Sequence, residues 1–254
     1  ILPALNSEKY IGEALDSLRN QTYVNFELIV CDGGSTDLTL EIIDANKDMV
    51  DVLISGPDSG QSDAFNKGFA SATGDYYLWL NSDDIMHPML LESAHNFLVR
   101  QPDALWLNFG TIIIDESSRI CEFFSAPNWM ESINKNFRPQ ISSPTTIFHN
   151  SLMKRLGGFD ERFHYAMDMD LWRTFVEAGY RWHKLAIYGI AFRRHGDSKT
   201  NSHILESKPE QLNESKLMSE KHNFDLLSKS NLYRAKIWRF VNCWCKDHFF
   251  NRAW

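Results

Sequence analysis

Short apolar runs alternate with amphipathic segments along the N-terminal part of the chain. The runs are typical of strands buried on both faces, and the segments between them carry apolar residues at helical spacing. This alternation with short connections predicts a Rossmann-like α/β fold, with a mostly parallel central sheet flanked by helices. The predicted strands cover 1–3, 26–31, 52–54 and 76–80, and the predicted helices cover 7–20, 38–46, 61–72 and 90–99.

The alternation weakens beyond residue 104, and the pattern changes again near residue 205. We therefore predict one α/β domain at 1–204, whose first strand is truncated, and a C-terminal helical extension at 205–254. The extension ends in a basic, aromatic and amphipathic segment. Between residues 104 and 205, the predicted strands cover 105–109, 111–114, 120–124 and 185–192, and the predicted helices cover 151–156 and 171–178.

Composition narrows the possible partners and compartments. The net charge of -7 argues against nucleic acid, because phosphate binding needs a basic surface. The four cysteines fit neither a standard zinc site nor a disulfide framework, so we expect a reducing cytoplasm. No run reaches the roughly 18 apolar residues of a membrane span. The chain starts at Ile1 without a methionine, so we expect its true N-terminus to be missing, and a targeting segment stays possible.

Candidate chemistry is concentrated where the predicted strands end. The strand at 76–80 runs into Asn81-Ser82-Asp83-Asp84. Carboxylates at this end of a parallel strand lie where open α/β sheets bind ligands, and they suit Mg²⁺ or Mn²⁺ held together with substrate phosphates. The alternative is a solvated turn. Further polar motifs occupy 3–6, 32–37, 157–163 and 166–172.

These motifs, in this order and with Asp63-Ala64-Phe65-Asn66-Lys67-Gly68 between them, resemble the inverting family 2 glycosyltransferases of the GT-A fold. This broad bacterial group builds surface polysaccharides and O-antigens of the cell envelope. The resemblance spans roughly residues 1 to 200. It implies that a sugar moves from a nucleotide-diphosphate sugar, expected to be a UDP-sugar, to a hydroxyl group.

The resemblance also assigns residues to the donor. Asp32 could accept a hydrogen bond from the imide N–H of uracil, although a helix-capping turn is the alternative. Asp83 corresponds to the metal-binding carboxylate of the family's Asp-x-Asp element, with Asn81 at its first position, and His195 is a further candidate ligand for Mn²⁺ or Mg²⁺. The expected nucleotide-sugar-binding residues are Pro3, Ala4, Asn6, Asp32, Gly33, Asp63, Asn66, Lys67, Asn81, Ser82 and Asp84.

Asp168 matches the family's catalytic aspartate, although Met167 replaces the Glu that usually precedes it. Its implied role is general base toward the acceptor hydroxyl. The alternative is that Asp168 or Asp170 caps a helix beginning near Leu171, and Asp170 fits that role better. Arg193, Arg194 or Lys199 could neutralise the diphosphate, or they could form an exposed basic loop.

The expected acceptor is a glycan or a polyprenyl-linked glycan, with its specificity set between residues 109 and 146. The basic, aromatic segment at 230–254 could lie on an anionic membrane, at the inner face of the plasma membrane. It could equally pack on its own domain or form a homodimer. Two other functions compete: a nucleotidyltransferase, which would need a basic, Gly-rich phosphate loop, and a non-catalytic nucleotide-sugar or glycan-binding module. The presence of both Asp83 and Asp168 favours the enzyme.

Overall fold

The structure is a computed structural model, and it describes residues 1–129, 141, 144–196, 198 and 209–222. Nine strands and seven helices are numbered here in chain order within these residues. The strands are β1 (Leu2–Ala4), β2 (Ile29–Asp32), β3 (Val52–Ser55), β4 (Tyr76–Tyr77), β5 (Ile85–Met86), β6 (Trp106–Ile114), β7 (Ile120–Phe124), β8 (Thr146–His149) and β9 (His183–Arg193). The helices are α1 (Ile11–Arg19), α2 (Thr39–Ala45), α3 (Gln61–Ser71), α4 (Leu90–Arg100), α5 (Asn150–Leu156), α6 (Met167–Glu177) and α7 (Pro209–His222).

The first three strands form a parallel sheet in the order β1–β2–β3. Residues 78–80 continue this sheet beyond β4, because Ile1 N donates to Leu78 O at 2.8 Å and Leu80 N donates to Ile1 O at 3.0 Å. The predicted strand at 76–80 is therefore a regular strand only over Tyr76–Tyr77, and its remainder follows β1. The carboxyl ends of β1, β2 and this segment consequently meet at one edge of the sheet.

Strands β4 to β9 build a six-stranded mixed sheet in the order β4–β8–β6–β9–β5, with β7 paired to β6. Only β6 and β9 pair in parallel there. The two strands predicted at 105–109 and 111–114 are one strand, β6. Gly110 lies inside this strand, at a position where a Cβ atom would come within 2.8 Å of the Tyr188 ring. The predicted α/β class, with a parallel sheet and flanking helices, is confirmed.

A cluster of large aromatic side chains packs between α3, α6 and the mixed sheet. The rings of Trp79 and Trp172 stack with their centroids 5.4 Å apart and their planes 7° apart. Such pairs contribute about 0.5–1.5 kcal/mol beyond the burial of their area. Trp79 lies just before the 81–84 motif and Trp172 lies in α6. The cluster therefore connects the 81–84 motif to helix α6. Its fully buried members include Phe65, Trp79, Trp106, Phe148, Trp172 and Phe175.

Helix α6 begins at Met167, four residues before the predicted start near Leu171. Asp168 and Asp170 therefore lie in its first turn, and the proposal that either of them is the N-cap is wrong. The N-cap position is held by Ala166. Within the part of the chain described, no helix is long and apolar enough to cross a membrane. The predicted membrane or subunit contact at 230–254 lies outside the described residues.

Candidate active site

The Asp32 carboxylate organises the turn that follows β2. It is 3% exposed, and its Oδ2 accepts hydrogen bonds from Ser55 Oγ at 2.8 Å and Gly34 N at 3.1 Å. Its Oδ1 accepts a bond from Ser35 N at 3.2 Å. Asp32 does not cap α2. Asp37 Oδ1 instead accepts a bond from Thr39 N at 3.0 Å, at the start of that helix.

The loop after β1 is fastened to this turn. Asn6 adopts a left-handed backbone conformation with φ of 47°, which Asn tolerates better than most residues. Its Oδ1 accepts a bond from Thr36 N at 2.9 Å, and its N–H donates to Ser35 Oγ at 2.9 Å. Pro3 and Ala4 lie beside Cys31 and Asp32 in the parallel register. The structure thus brings Pro3, Ala4, Asn6 and Asp32 together.

A pocket opens beside Asp32, between β3 and α3. Its lining includes Asp32, Asp58 and Lys67. Gly33 borders Asp58 so closely that a Cβ atom at position 33 would lie 2.7 Å from Asp58 Oδ2. Lys67 pairs with Asp63 at 2.8 Å, and this hydrogen bond lowers the pKa of Asp63. Of the predicted residues, Asp32 and Lys67 therefore line this pocket, in which Lys67 supplies a positive charge, and Gly33 lies against Asp58 of the lining.

Asn66 has a different neighbour. Its Oδ1 accepts a bond from Phe159 N and its Nδ2 donates to Phe159 O, both at 2.9 Å. Gly158 has φ of +79°, and a Cβ atom there would lie 2.8 Å from Asn66 Oδ1. Asn66 consequently anchors the 157–163 loop to α3.

The 81–84 loop presents one carboxylate outward and buries the other. Asp84 is fully buried, and its oxygens accept bonds from Asn81 Nδ2 at 2.8 Å and from Arg193 N at 2.9 Å. Burial raises the pKa of Asp84 well above its usual range, and the neighbouring charge of Asp83 raises it further. Ser82 Oγ lies 2.8 Å from Ser7 Oγ, which ties this loop to the loop after β1. Asp84 and Asn81 are thus internal anchors of the loop.

The two residues predicted to hold a metal ion lie next to each other. Asp83 Oδ2 is 2.9 Å from His195 Nε2. No group of three or more His, Cys, Asp and Glu side chains able to hold a metal is found in the described ranges. A carboxylate and an imidazole nevertheless fit Mn²⁺, and Mg²⁺ and Mn²⁺ are often held by one or two side chains together with substrate phosphates and water. These two side chains therefore suit a metal ion whose coordination is completed by a diphosphate.

Arg193 has a structural role that sequence analysis did not predict, because its side chain links three separate segments of the chain. Its side chain is completely buried, and its Nε donates to Asp83 O at 3.0 Å. Its other nitrogens reach Glu13 Oε2 and Ser118 Oγ, each at 2.8 Å. The guanidinium group is therefore not available to a diphosphate. Arg194 is partly exposed and pairs with Glu122 at 3.1 Å, and Lys199 lies outside the described residues.

Asp168 is half-buried in the first turn of α6. Its neighbour Asp170 is almost fully buried and is held by Lys221 and His222, each at 2.8 Å. Glu214, also in α7, accepts hydrogen bonds from backbone N–H groups just before α6. No local pattern in the sequence indicates these partners.

Residues 1–156 match the model of the family described as "Glycosyl transferase family 2". The chain belongs to this family. An uncharacterized glycosyltransferase of Rickettsia typhi is 31% identical over 184 residues, which covers 69% of this chain and 57% of the relative. Chondroitin synthase of Pasteurella multocida is 29% identical over 247 residues, covering 91% of this chain and 25% of that enzyme. This glycosyltransferase chain therefore spans little more than half of the first relative and a quarter of the second.

Solved structures share the fold. TarS of S. aureus in complex with UDP-GlcNAc superimposes with a TM-score of 0.58 at 23% identity, covering 79% of this chain and 59% of that one. The mannosyltransferase PcManGT of Pyrobaculum calidifontis, in complex with GDP-Man and Mn²⁺, gives a TM-score of 0.54 at 19% identity and covers 74% and 55%. The predicted family is confirmed by the family model, and the predicted GT-A fold is confirmed by these structures.

Proposed function

We propose that this glycosyltransferase moves a sugar from a UDP-sugar to a hydroxyl group of a glycan or a polyprenyl-linked glycan, with inversion. The observation that carries the proposal is the Asp83–His195 pair, which stands at the sheet edge where the loops after β1 and β2 also meet. The TarS complex with UDP-GlcNAc supports the donor class, and the similarity to a chondroitin synthase supports a role in polysaccharide synthesis.

The pocket beside Asp32 suits a uracil base. A carboxylate offers about four acceptor positions. Among the described residues, Oδ1 of Asp32 accepts one hydrogen bond, so it retains capacity for the imide N–H of uracil. Lys67 at the same pocket supplies a positive charge for the phosphates. Asp63 pairs with Lys67 and would thereby orient it.

Asp83 and His195 would hold Mn²⁺ or Mg²⁺ between them and the diphosphate. When bound, the ion would neutralise the negative charge that grows on the departing diphosphate. Asn81 and the buried Asp84 would keep Asp83 facing outward, because the hydrogen bond of 2.8 Å between their side chains fixes the conformation of the loop.

Asp168 would act as the general base. It would accept the proton of the acceptor hydroxyl as the hydroxyl oxygen bonds to the anomeric carbon, from the face opposite the diphosphate. The bond from that carbon to the diphosphate oxygen would break, and the diphosphate would leave with the electron pair. One displacement inverts the configuration, so no covalent nucleophile is required.

The polyprenyl-linked acceptor extends this proposal to the cell envelope, with the enzyme in the cytoplasm at the inner face of the plasma membrane. The basic, aromatic segment at 230–254 would provide the contact with anionic lipid. Vesicles containing anionic lipid should bind the full chain and release a chain that ends at residue 222. Equal binding of both chains would contradict the membrane contact.

Calorimetric titration tests the donor site. UDP should bind in the presence of Mn²⁺, GDP should bind more weakly, and Asp83→Ala should abolish the Mn²⁺-dependent binding. Asp103→Ala, at an exposed carboxylate, is the matched control and should bind like the wild type. Binding of neither nucleotide with Mn²⁺ would contradict the proposal. For the chemistry, Asp168→Asn should retain UDP binding but lose UDP release from a UDP-sugar, and the product anomer should be inverted by NMR.

A further inference from the structure

The segment that leads into helix α6 is held by a side chain from far along the chain. Glu214 in α7 accepts hydrogen bonds from His164 N at 2.8 Å, Tyr165 N at 3.0 Å and Ala166 N at 2.9 Å. Its own side chain is almost fully buried. The first N–H groups of a helix have no partner within it, and a negative charge is favourable at that end. Ala166 offers no side-chain cap, and Glu214 binds the Ala166 N–H together with the two N–H groups just before it.

Helix α7 holds α6 at two further points. Lys221 Nζ contacts Asp170 Oδ2 at 2.8 Å and Asp160 Oδ2 at 2.9 Å. His222 lies 2.8 Å from both Asp170 Oδ1 and Glu177 Oε2. Burial disfavours the charged form of His222, but the hydrogen bonds to Asp170 and Glu177 outweigh burial and raise its pKa. Helix α7 therefore contacts the beginning, the first turn and the end of α6.

We infer that Glu214 is a positioning residue for Asp168. Asp168 follows, by only two residues, the last backbone N–H that Glu214 binds, so this carboxylate fixes the turn from which Asp168 projects. The other contacts from α7 reach Asp160, before this stretch, and Asp170 and Glu177, further along α6, whereas Glu214 binds the stretch at 164–166 itself. The inference rests on the proposed role of Asp168 as the base. A displacement of about 1 Å in a reacting group can lower the rate about 100-fold.

Three variants test the inference. Glu214→Ala removes the acceptor of the three backbone N–H groups, and Glu214→Gln keeps one acceptor oxygen for them. Glu220→Ala is the matched control, because Glu220 is an exposed carboxylate on the same helix. Hydrogen–deuterium exchange should be faster across 163–170 in Glu214→Ala than in Glu220→Ala or the wild type, with Glu214→Gln in between.

Turnover provides the second measurement, as UDP released from UDP-GlcNAc with Mn²⁺ at a temperature where circular dichroism shows every variant folded. We expect kcat of Glu214→Ala to fall about 100-fold, with KM for UDP-GlcNAc and the affinity for UDP within about twofold of the wild type. Glu214→Gln should recover part of kcat, and Glu220→Ala should retain it. A general loss of structure would not lower kcat while leaving KM unchanged.

Two results would overturn the inference. One is exchange across 163–170 that is the same in Glu214→Ala and Glu220→Ala, and this readout needs no donor turnover. The other is a parallel loss of kcat and UDP affinity, which would mean that Glu214 supports the whole domain. Asp168→Asn separates the two proposals. If it is inactive while Glu214→Ala keeps its kcat, only the inference fails, whereas an active Asp168→Asn contradicts the assignment of the base and the inference with it.

Discussion

Replacing Arg193 by alanine should destabilise the protein and weaken its metal-dependent nucleotide binding together. The buried guanidinium makes hydrogen bonds of 3.0 Å or less to Asp83 O, Ser118 Oγ and Glu13 Oε2, and it lies 4.5 Å from the Tyr10 ring centroid. Removing one partner of a buried ion pair typically costs about 3–5 kcal/mol. The Glu13 side chain is 49% exposed and can be rehydrated, so we expect the lower end, about 3 kcal/mol.

Urea unfolding followed by circular dichroism measures this free energy. Arg194→Ala is the control, since it removes the same charge from the adjacent position. The Arg194 side chain is 39% exposed and makes one ion pair, so its loss should change the free energy of unfolding by about 0.5 kcal/mol or less. Calorimetry with UDP and Mn²⁺ should show weaker binding only for Arg193→Ala, because the Asp83 carbonyl loses its donor. Equal effects of the two substitutions on stability and binding would refute this reasoning.

Three further predictions follow from other contacts. Because hydrogen bonds raise the folded-state pKa of His222, its stabilising contribution is present below its unfolded pKa near 6.5 and is lost as pH rises through the folded value. The difference in unfolding free energy between the wild type and His222→Leu should therefore shrink as the pH rises from about 6 into the alkaline range, and a difference that stays constant with pH would contradict this. Gly158→Ala should lower the free energy of unfolding by about 1–2 kcal/mol, because of the positive φ and the contact with Asn66. Gly12→Ala, in open space within α1, should raise it by about 0.5–1 kcal/mol. Equal shifts in the melting temperatures of the two variants would contradict this. Removing divalent metal with EDTA should abolish UDP binding in calorimetry, and added Mn²⁺ should restore it. UDP binding that persists in EDTA would contradict a role for the metal.

Sequence patterns predicted best those elements whose signals are local. The helix predicted at 61–72 is observed at Gln61–Ser71, and the helix predicted at 90–99 is observed at Leu90–Arg100. Each carries apolar residues at helical spacing along one face, and burial of that face decides its extent. That the 81–84 loop meets the loop after β1 was also predictable, because the carboxyl ends of parallel strands lie at one edge of a sheet.

The missed features depend on partners that are distant in sequence. Helix α6 was predicted to start too late because Asp170 resembled a local cap, whereas Ala166 is the N-cap and Glu214, 48 to 50 residues later, binds the backbone N–H groups of residues 164–166. Asp170 is instead paired with Lys221 and His222, 51 and 52 residues away. Arg193 looked like a ligand for phosphate because nothing near it in sequence predicts Glu13, 180 residues earlier. Burial and pairing of charged side chains are set by tertiary packing, which the pattern of one segment does not contain.

The stacked pair Trp79 and Trp172 has an optical consequence. Two indole rings whose planes differ by 7° and whose centroids lie 5.4 Å apart have electronic transitions that couple, and the resulting circular dichroism depends steeply on their separation. One ring belongs to the segment that leads into Asp83, and the other to the helix that carries Asp168. Any ligand or substitution that moves these two carboxylates apart should therefore alter the aromatic ultraviolet bands of the unlabelled protein.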